Sequence, residues 1–391
     1  MNILFLLKSF DVGGVEVVTS VLANKFAEEG HQVVLWAFFR HEPTIEDRLR
    51  PDVKIIYGQG FSASSSNKIS LSHALETYDV DVIINQWPLP PQPTSLLKKV
   101  LSYHPAKIIS VFHSDPMTNG RLMDIDTNLS RTKNSIMQMV LKMKRRLYQM
   151  ITSYSMRRSY KMSDLFVVLA ESYKQHFVDF TGVQKPNHLI SLPNPVTIDV
   201  NRTLLSDTEK QKRILYVGRL ELFNKRPDRV LQIWNEVAPN AEDWFLDIVG
   251  DGPDKCELER MTTDMQLEHV KFYGYQNPTF YYEQSSILLL TSDFEGFPLV
   301  LVEGMSYGLV PVVYGSFSAV YDIIEDGKDG IIVPKGNEGF NADVMAERIK
   351  PLMANHDKLN YMALNAIEKS KNYSIDKIYE QWMEIIDKMK K

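Results

Sequence analysis

Short apolar runs alternate with amphipathic stretches along most of this chain. Runs at 2–7, 32–38, 53–56, 82–84, 108–112, 165–169 and 189–192 are strand-like. Several are continuously apolar, the pattern of parallel strands buried on both faces. Helical periodicity falls between them, most clearly at 15–29, 94–102 and 171–180. After Pro193-Asn194-Pro195 the series restarts, with strands at 213–217, 245–249, 270–272, 286–290, 310–313 and 330–333. Helices are expected at 226–237, 255–265, 299–307, 342–354, 356–371 and 375–390. This alternation predicts an α/β chain of two Rossmann-like, doubly wound domains joined at the proline-rich segment. The serine-rich stretch 62–66 reads as a loop, and no repeat of fixed period is present.

Composition fits that architecture. The 391 residues are 44% apolar and 24% charged, which suits a globular chain of about two domains. Cys256 is the single cysteine, so no internal disulfide can form, and a reducing cytoplasm is the expected compartment. The apolar run that ends at Lys8 is too short for a signal peptide or a spanning helix and reads as a buried first strand.

Charge is unevenly spread. Residues 1–196 carry 22 basic and 17 acidic side chains, and residues 197–391 carry 22 and 32. Between Thr127 and Ser163 there are nine basic residues and no acid, interleaved with Ile136, Met137, Met139, Val140, Leu141, Met143, Leu147, Met150, Ile151 and Met156. Such a basic amphipathic helix can lie on an anionic bilayer, gaining roughly 1 kcal/mol per basic residue near the surface. The alternative is a solvated helix whose apolar face packs on its own domain. Nucleic acid is not an expected partner.

Open parallel sheets bind ligands beyond the carboxyl ends of their strands, so the residues there carry the chemistry. After the first strand comes Lys8-Ser-Phe-Asp-Val-Gly-Gly14-Val-Glu16, a glycine pair that permits close backbone approach. The strand ending at Phe112 delivers His113, either a hydrogen-bonded rim residue or a functional one. Gly218-Arg219-Leu220 follows the strand at 213–217, and Lys225-Arg226-Pro227 opens the next helix. Two cations beside a helix N-terminus suit a diphosphate. Val249-Gly250-Asp251-Gly252-Pro253 reads as a structural turn, and Gly274-Tyr275 as a loop whose backbone could meet a base edge.

The most informative run is Ser292-Asp-Phe-Glu295-Gly-Phe-Pro-Leu-Val-Leu-Val-Glu303, in which two glutamates stand eight positions apart. A strand feeds into it and a helix follows Pro298, aiming free backbone N–H groups at a ligand near Glu295. Glu303 lies further along that helix. A ligand meeting both, with an anionic middle, is a nucleoside diphosphate carrying a sugar. The bland alternative is a strand-turn-helix with two surface acids.

Taken in order, Gly13-Gly14-Val15-Glu16, His113, Val217-Gly218-Arg219-Leu220, Lys225-Arg226-Pro227, Val249-Gly250-Asp251-Gly252-Pro253 and Glu295-x7-Glu303 resemble retaining glycosyltransferase family 4, of the GT-B fold. The resemblance implies an acceptor-side domain at 1–195 and a donor-binding domain at 196–374. A last helix, about 375–391, would cross back onto the first domain. It implies that Arg219 and Lys225 hold the donor diphosphate, and that Glu295 and His113 touch the transferred sugar. Glu303 would bind the ribose diol. Gly14, Gly218, Tyr275, Gly296, Phe297, Pro298 and Leu299 would line the donor site, with the Gly13-Gly14 loop near phosphates and acceptor. Proline at 298 departs from the glycine of many members and removes one amide donor.

The implied reaction moves a hexose or N-acetylhexosamine from a nucleotide sugar, UDP favoured over GDP, to a saccharide acceptor that could be lipid-linked. Such work belongs to surface polysaccharide or glycolipid synthesis, with a cytoplasmic chain peripheral to the plasma membrane. No general base or carboxylate nucleophile is assigned, and the resemblance implies front-face attack with retention, in which the departing phosphate takes the acceptor proton. No metal or other cofactor is expected, although Asp79-Val-Asp81 and Asp124-Ile-Asp126 have a metal-type spacing. Other readings are a sugar-nucleotide epimerase, a phosphorylase-like enzyme and a non-catalytic sugar-nucleotide binder.

Overall fold

Strand β1 (Asn2–Leu7) is buried from Ile3 to Leu7. Five apolar residues in succession leave neither face of the strand to water, so its sheet must be covered on both sides. In the computed structural model, which describes residues 1–200 and 210–390, that sheet belongs to a first unit made of Met1–Pro195 with Ile375–Lys391. Val196–Ser374 form a second unit.

The first unit holds seven parallel strands in the order β3-β2-β1-β4-β5-β6-β7. The others are β2 (Gln32–Ala37), β3 (Lys54–Tyr57), β4 (Val82–Asn85), β5 (Lys107–Phe112), β6 (Leu165–Val168) and β7 (Leu189–Ser191). Helices α1 (Gly14–Glu28), α2 (Ser65–Thr77), α3 (Pro91–Val100), α4 (Gly120–Arg131), α5 (Ser135–Met162) and α6 (Ser172–Thr181) connect them.

The second unit has six parallel strands in the order β10-β9-β8-β11-β12-β13. These are β8 (Arg213–Val217), β9 (Phe245–Val249), β10 (Val270–Gly274), β11 (Ile287–Leu290), β12 (Val310–Gly315) and β13 (Ile331–Pro334). Its helices are α7 (Pro227–Val237), α8 (Lys255–Asp264), α9 (Thr279–Gln284), α10 (Leu299–Ser306), α11 (Ala319–Ile323), α12 (Ala342–Ala354) and α13 (His356–Ser370). Both sheets wind outward in opposite directions from one central strand pair, β1/β4 and β8/β11. The crevice at such a switch point is where doubly wound sheets take ligands.

The last helix, α14 (Ile375–Lys390), returns to the first unit. Ile378, Trp382 and Ile386, one turn apart, are buried. Lys25 pairs with Asp376 at 2.7 Å, and His31 Nε2 lies 2.9 Å from the Tyr379 hydroxyl.

Some expectations change. Helix α2 begins where a loop was expected: Ser64 caps it by accepting from the Asn67 N–H, and buried Asn67 donates to the Gly60 and Ser62 carbonyls. The single basic helix expected within 127–163 is two helices, because Asn134 accepts from the Ile136 and Met137 N–H groups and starts a new one. Helix α3 starts at Pro91 rather than at 94, with proline where the first turn favours it.

Candidate functional site

Two loops at the β8/β11 switch point bring the charged residues together. The loop after β8 is fixed first by backbone: the Gly218 N–H donates to the Val249 carbonyl at 3.0 Å and the Leu220 N–H to the Asp251 carbonyl at 3.0 Å. Gly250 has φ +143°, and a Cβ there would lie 1.9 Å from the Gly218 oxygen. Only glycine lets these segments touch, so the Gly250-Asp251-Gly252 turn sets the path of Gly218-Arg219-Leu220.

Further along, Arg226 takes the left-handed conformation, φ 52° and ψ 49°, as it caps α7. Its guanidinium meets Asp228 at 2.8 Å and Asp293 at 3.4 Å. Asp293 also pairs with buried Arg229 at 2.7 Å, and its N–H donates to the Asn224 carbonyl at 2.8 Å. Arg229 donates to the Thr291 carbonyl at 2.8 Å, with its guanidinium 5.0 Å from the Tyr314 ring and 4.9 Å from the Phe340 ring. These contacts tie loop 291–295 to the end of the preceding loop and the first turn of α7, residues 224–229.

Lys225 and Glu295 meet at that junction. The Lys225 ammonium donates to Glu295 Oε1 at 2.6 Å, and the Ser292 hydroxyl donates to the same oxygen at 2.8 Å. Lys225 keeps 30% of its side chain exposed and Glu295 11%, so the pair borders solvent without lying flat on the surface. Arg219 leaves the same strand end but is 66% exposed, with Glu221 at 3.6 Å. Gly296 is half-buried, Phe297 is buried against the Tyr373 ring at 5.8 Å, and Pro298 is the N-cap of α10. Leu299 opens that helix, half-buried, and Tyr275 is 75% exposed beyond β10.

Glu303 lies inside. It is buried, and its two carboxylate oxygens accept from the Thr197 hydroxyl and from the Tyr282 hydroxyl, the latter at 3.1 Å. Burial, with Glu303 alongside, pushes the Tyr282 phenol well above its ordinary value, so it stays a donor.

In the first unit, Gly14 starts α1 and Gly13 caps it. The Glu16 carboxylate folds back over Gly13, where a Cβ would meet Glu16 Oε2 at 2.3 Å. Burial raises Glu16 to about 7; its own backbone N–H and Lys8 pull the other way, and Asp11 reinforces the rise. His113 follows β5, and its Nε2 lies 2.5 Å from Gln86 Oε1. With the Gln86 amide oxygen facing it, Nε2 is the donor, and buried Nδ1 has no hydrogen-bond partner among the described residues. Burial lowers His113 to about 3, so the imidazole is neutral at physiological pH.

Of the expected site residues, the structure joins Lys225 to Glu295 directly and sets Arg219 at the neighbouring strand end. Gly14 and His113 lie at the strand ends of the first sheet. Sequence reasoning missed Gln86, Thr197, Tyr282, Arg229 and Asp293 as supports. Position gave one usable signal, because Gln86 directly follows β4, beside the first switch point. The acidic pairs have local roles: Asp81 accepts from the Asn2 N–H at 2.8 Å, and Asp126 binds Arg145. Among the described residues no group of three His, Cys, Asp or Glu is placed to hold a metal.

Residues 12–200 match the family described as Glycosyltransferase Family 4, and residues 200–369 match Glycosyl transferases group 1. An uncharacterized glycosyltransferase of Haemophilus influenzae is 33% identical over 204 residues, 52% of this chain and 56% of that protein. A Campylobacter jejuni protein is 28% identical over 236 residues, 60% of this chain and 63% of its own. It is named GalNAc-alpha-(1->4)-GalNAc-alpha-(1->3)-diNAcBac-PP-undecaprenol alpha-1,4-N-acetyl-D-galactosaminyltransferase. The chain thus spans little more than half the length of these curated relatives. Among solved structures, Anabaena HepE in complex with UDP-glucose has a TM-score of 0.73 at 16% identity, covering 99% of this chain and 100% of its own. That likeness fixes the fold as GT-B.

Proposed function

Since the chain belongs to the glycosyltransferases of the family 4 type, we propose that it moves a hexose or N-acetylhexosamine from a UDP-sugar to a saccharide acceptor, with retention. The observation that carries this reading is the Lys225–Glu295 contact at 2.6 Å, which couples a phosphate-binding cation to a hydroxyl-binding carboxylate at the β8/β11 switch point.

In this reading the bond between the anomeric carbon and the diphosphate oxygen breaks, and negative charge grows on the departing diphosphate. Arg219 and Lys225 stabilise that charge, and backbone N–H groups at the start of α10 add to it. The acceptor hydroxyl bonds to the anomeric carbon on the face the diphosphate leaves, and its proton passes to the leaving phosphate oxygen. Glu295 holds hydroxyls of the sugar, and Glu303 holds the ribose diol. His113 and Gly14 keep the roles the resemblance gives them, contacts to the sugar and to the phosphates. Neutralisation of the diphosphate by side chains leaves no step that requires a divalent ion.

Two comparisons support the substrate classes. HepE, of the same fold, has been solved with UDP-glucose, and the Campylobacter relative is named for an acceptor on PP-undecaprenol. A lipid-linked acceptor would place this chain at a membrane surface as a peripheral protein.

The test is product analysis with UDP- and GDP-sugars, with and without a lipid pyrophosphate saccharide. Transfer with the donor's anomeric configuration kept, undiminished by a chelator, is expected. An inverted product would overturn retention, and loss of transfer on chelation would give the diphosphate to a metal. If no nucleotide sugar shifts thermal unfolding, the whole reading fails.

A further inference from the structure

Helix α5 is half anchored and half bare. Near its end Ser153, Met156, Ser159 and Tyr160 are buried, and Arg158 donates to the Ser95 hydroxyl at 3.1 Å. Upstream, Ile136, Val140, Met143, Leu147, Met150 and Tyr154 recur at spacings of four and three, and each is 50–73% exposed. With 3.6 residues per turn these six fall within an arc of about 80°. Six large apolar side chains on one line are a patch, unlike scattered exposed residues, which are ordinary.

The borders of the stripe are basic. By the same helical spacing, Lys142 and Arg146 flank one side and Lys144 the other. The helix carries no acid, and among the described residues Arg145 is its one basic side chain paired with a carboxylate, that of Asp126. Alongside runs an open groove of about 630 Å³ whose apolar lining includes Leu147, Met150, Tyr154 and Phe180, with Arg146 and Arg157 also lining it. Two guanidiniums over an apolar groove suit a phosphate attached to acyl chains.

We propose that this face docks on an anionic lipid bilayer, the stripe entering the headgroup and acyl boundary while Lys142, Lys144, Arg146 and Arg157 meet lipid phosphates. The four-three spacing is also that of a coiled-coil seam, so a second copy must be weighed. In such a pairing basic borders would meet basic borders with no acid on the helix to offset them. An anionic bilayer satisfies both the apolar stripe and its charge. Among the described residues no helix is long and apolar enough to cross a membrane, so α5 lies on the surface.

The experiment is co-sedimentation of the full chain with phosphatidylcholine vesicles and with vesicles that also carry phosphatidylglycerol, at low and high salt. Binding to the anionic vesicles alone, weakened by salt, is expected. M143E/L147E should abolish it, and K142E/R146E should weaken it roughly tenfold or more. All four positions are exposed, so circular dichroism and thermal unfolding should match wild type. Affinity for soluble UDP should also be unchanged, which separates this surface from the donor site. Equal binding to both vesicles, no binding, or full binding by M143E/L147E would overturn the proposal. So would a wild-type dimer in ultracentrifugation that M143E/L147E dissolves, since the stripe would then belong to a second copy.

Discussion

Lys225 and Glu295 lie 70 positions apart, yet the ammonium donates to the carboxylate at 2.6 Å. The two loops leave neighbouring strands, β8 and β11, and Asp293 clamps them through Arg226 and Arg229. The Lys225–Glu295 contact and the Asp293 clamp therefore hold the two loops against each other.

In the proposed reaction, replacing Lys225 by alanine would remove one of the two cations assigned to the departing diphosphate. Turnover at saturating donor should fall by about a hundredfold or more, the usual scale for one preorganised charge-stabilising group. Steady-state kinetics decide the point, and near-normal kcat would leave Lys225 without this role.

Tyr282→Phe keeps the buried ring and deletes the hydroxyl that donates to Glu303. Affinity for UDP should weaken by about five- to tenfold, the scale of one hydrogen bond. Preference for UDP over 2′-deoxy-UDP should shrink as well, as titration calorimetry on both ligands would show. A variant with unaltered discrimination would detach Glu303 from ribose recognition.

Glu16 titrates in the folded chain at about 7, against 4.5 for the ordinary group. Between these values the folded state holds a proton that the unfolded state has released, so stability falls as pH rises from 4.5 to 7 and then levels. Glu16→Gln should remove that slope and be relatively more stable at pH 8 than at pH 5, by about 3 kcal/mol at most. His113, depressed to about 3, acts with opposite sign between 3 and 6.5 and is common to both proteins. Parallel melting curves for the two proteins across pH would refute the assignment.

Arg229→Ala would take from Asp293 the nearer of its two cations, leaving Arg226 at 3.4 Å, remove the donor to the Thr291 carbonyl and open a gap beside Tyr314 and Phe340. A loss of about 3–5 kcal/mol is expected, as when one partner of a buried pair is removed. Urea unfolding measures it, and a change within experimental error would show that the clamp is dispensable.

The strands were legible because uninterrupted apolar runs such as 3–7 and 287–290 have few other uses in a chain with polar flanks. Helix α2 was not, since Ser65–Thr77 is largely polar and reaches the core through Asn67, Leu71, Ala74 and Leu75 alone. The motif residues Arg219, Lys225 and Glu295 could be picked out by their place after strands. Their supports could not: Thr197 is 106 positions from Glu303, and nothing local marks it as that carboxylate's partner. Gln86 likewise acts on His113 through a neighbouring strand, a relation set by sheet order and not by sequence spacing.

The Asp293 clamp also bears on how the chain can diverge. Because one carboxylate pairs with two arginines, Arg226 at the cap of α7 and Arg229 in its first turn, change at 291–295 is expected to need matching change at 224–229. Variation in sugar choice among descendants should therefore show correlated substitution in these two segments, and an exchange of either stretch alone between paralogues should yield misfolded protein more often than altered specificity.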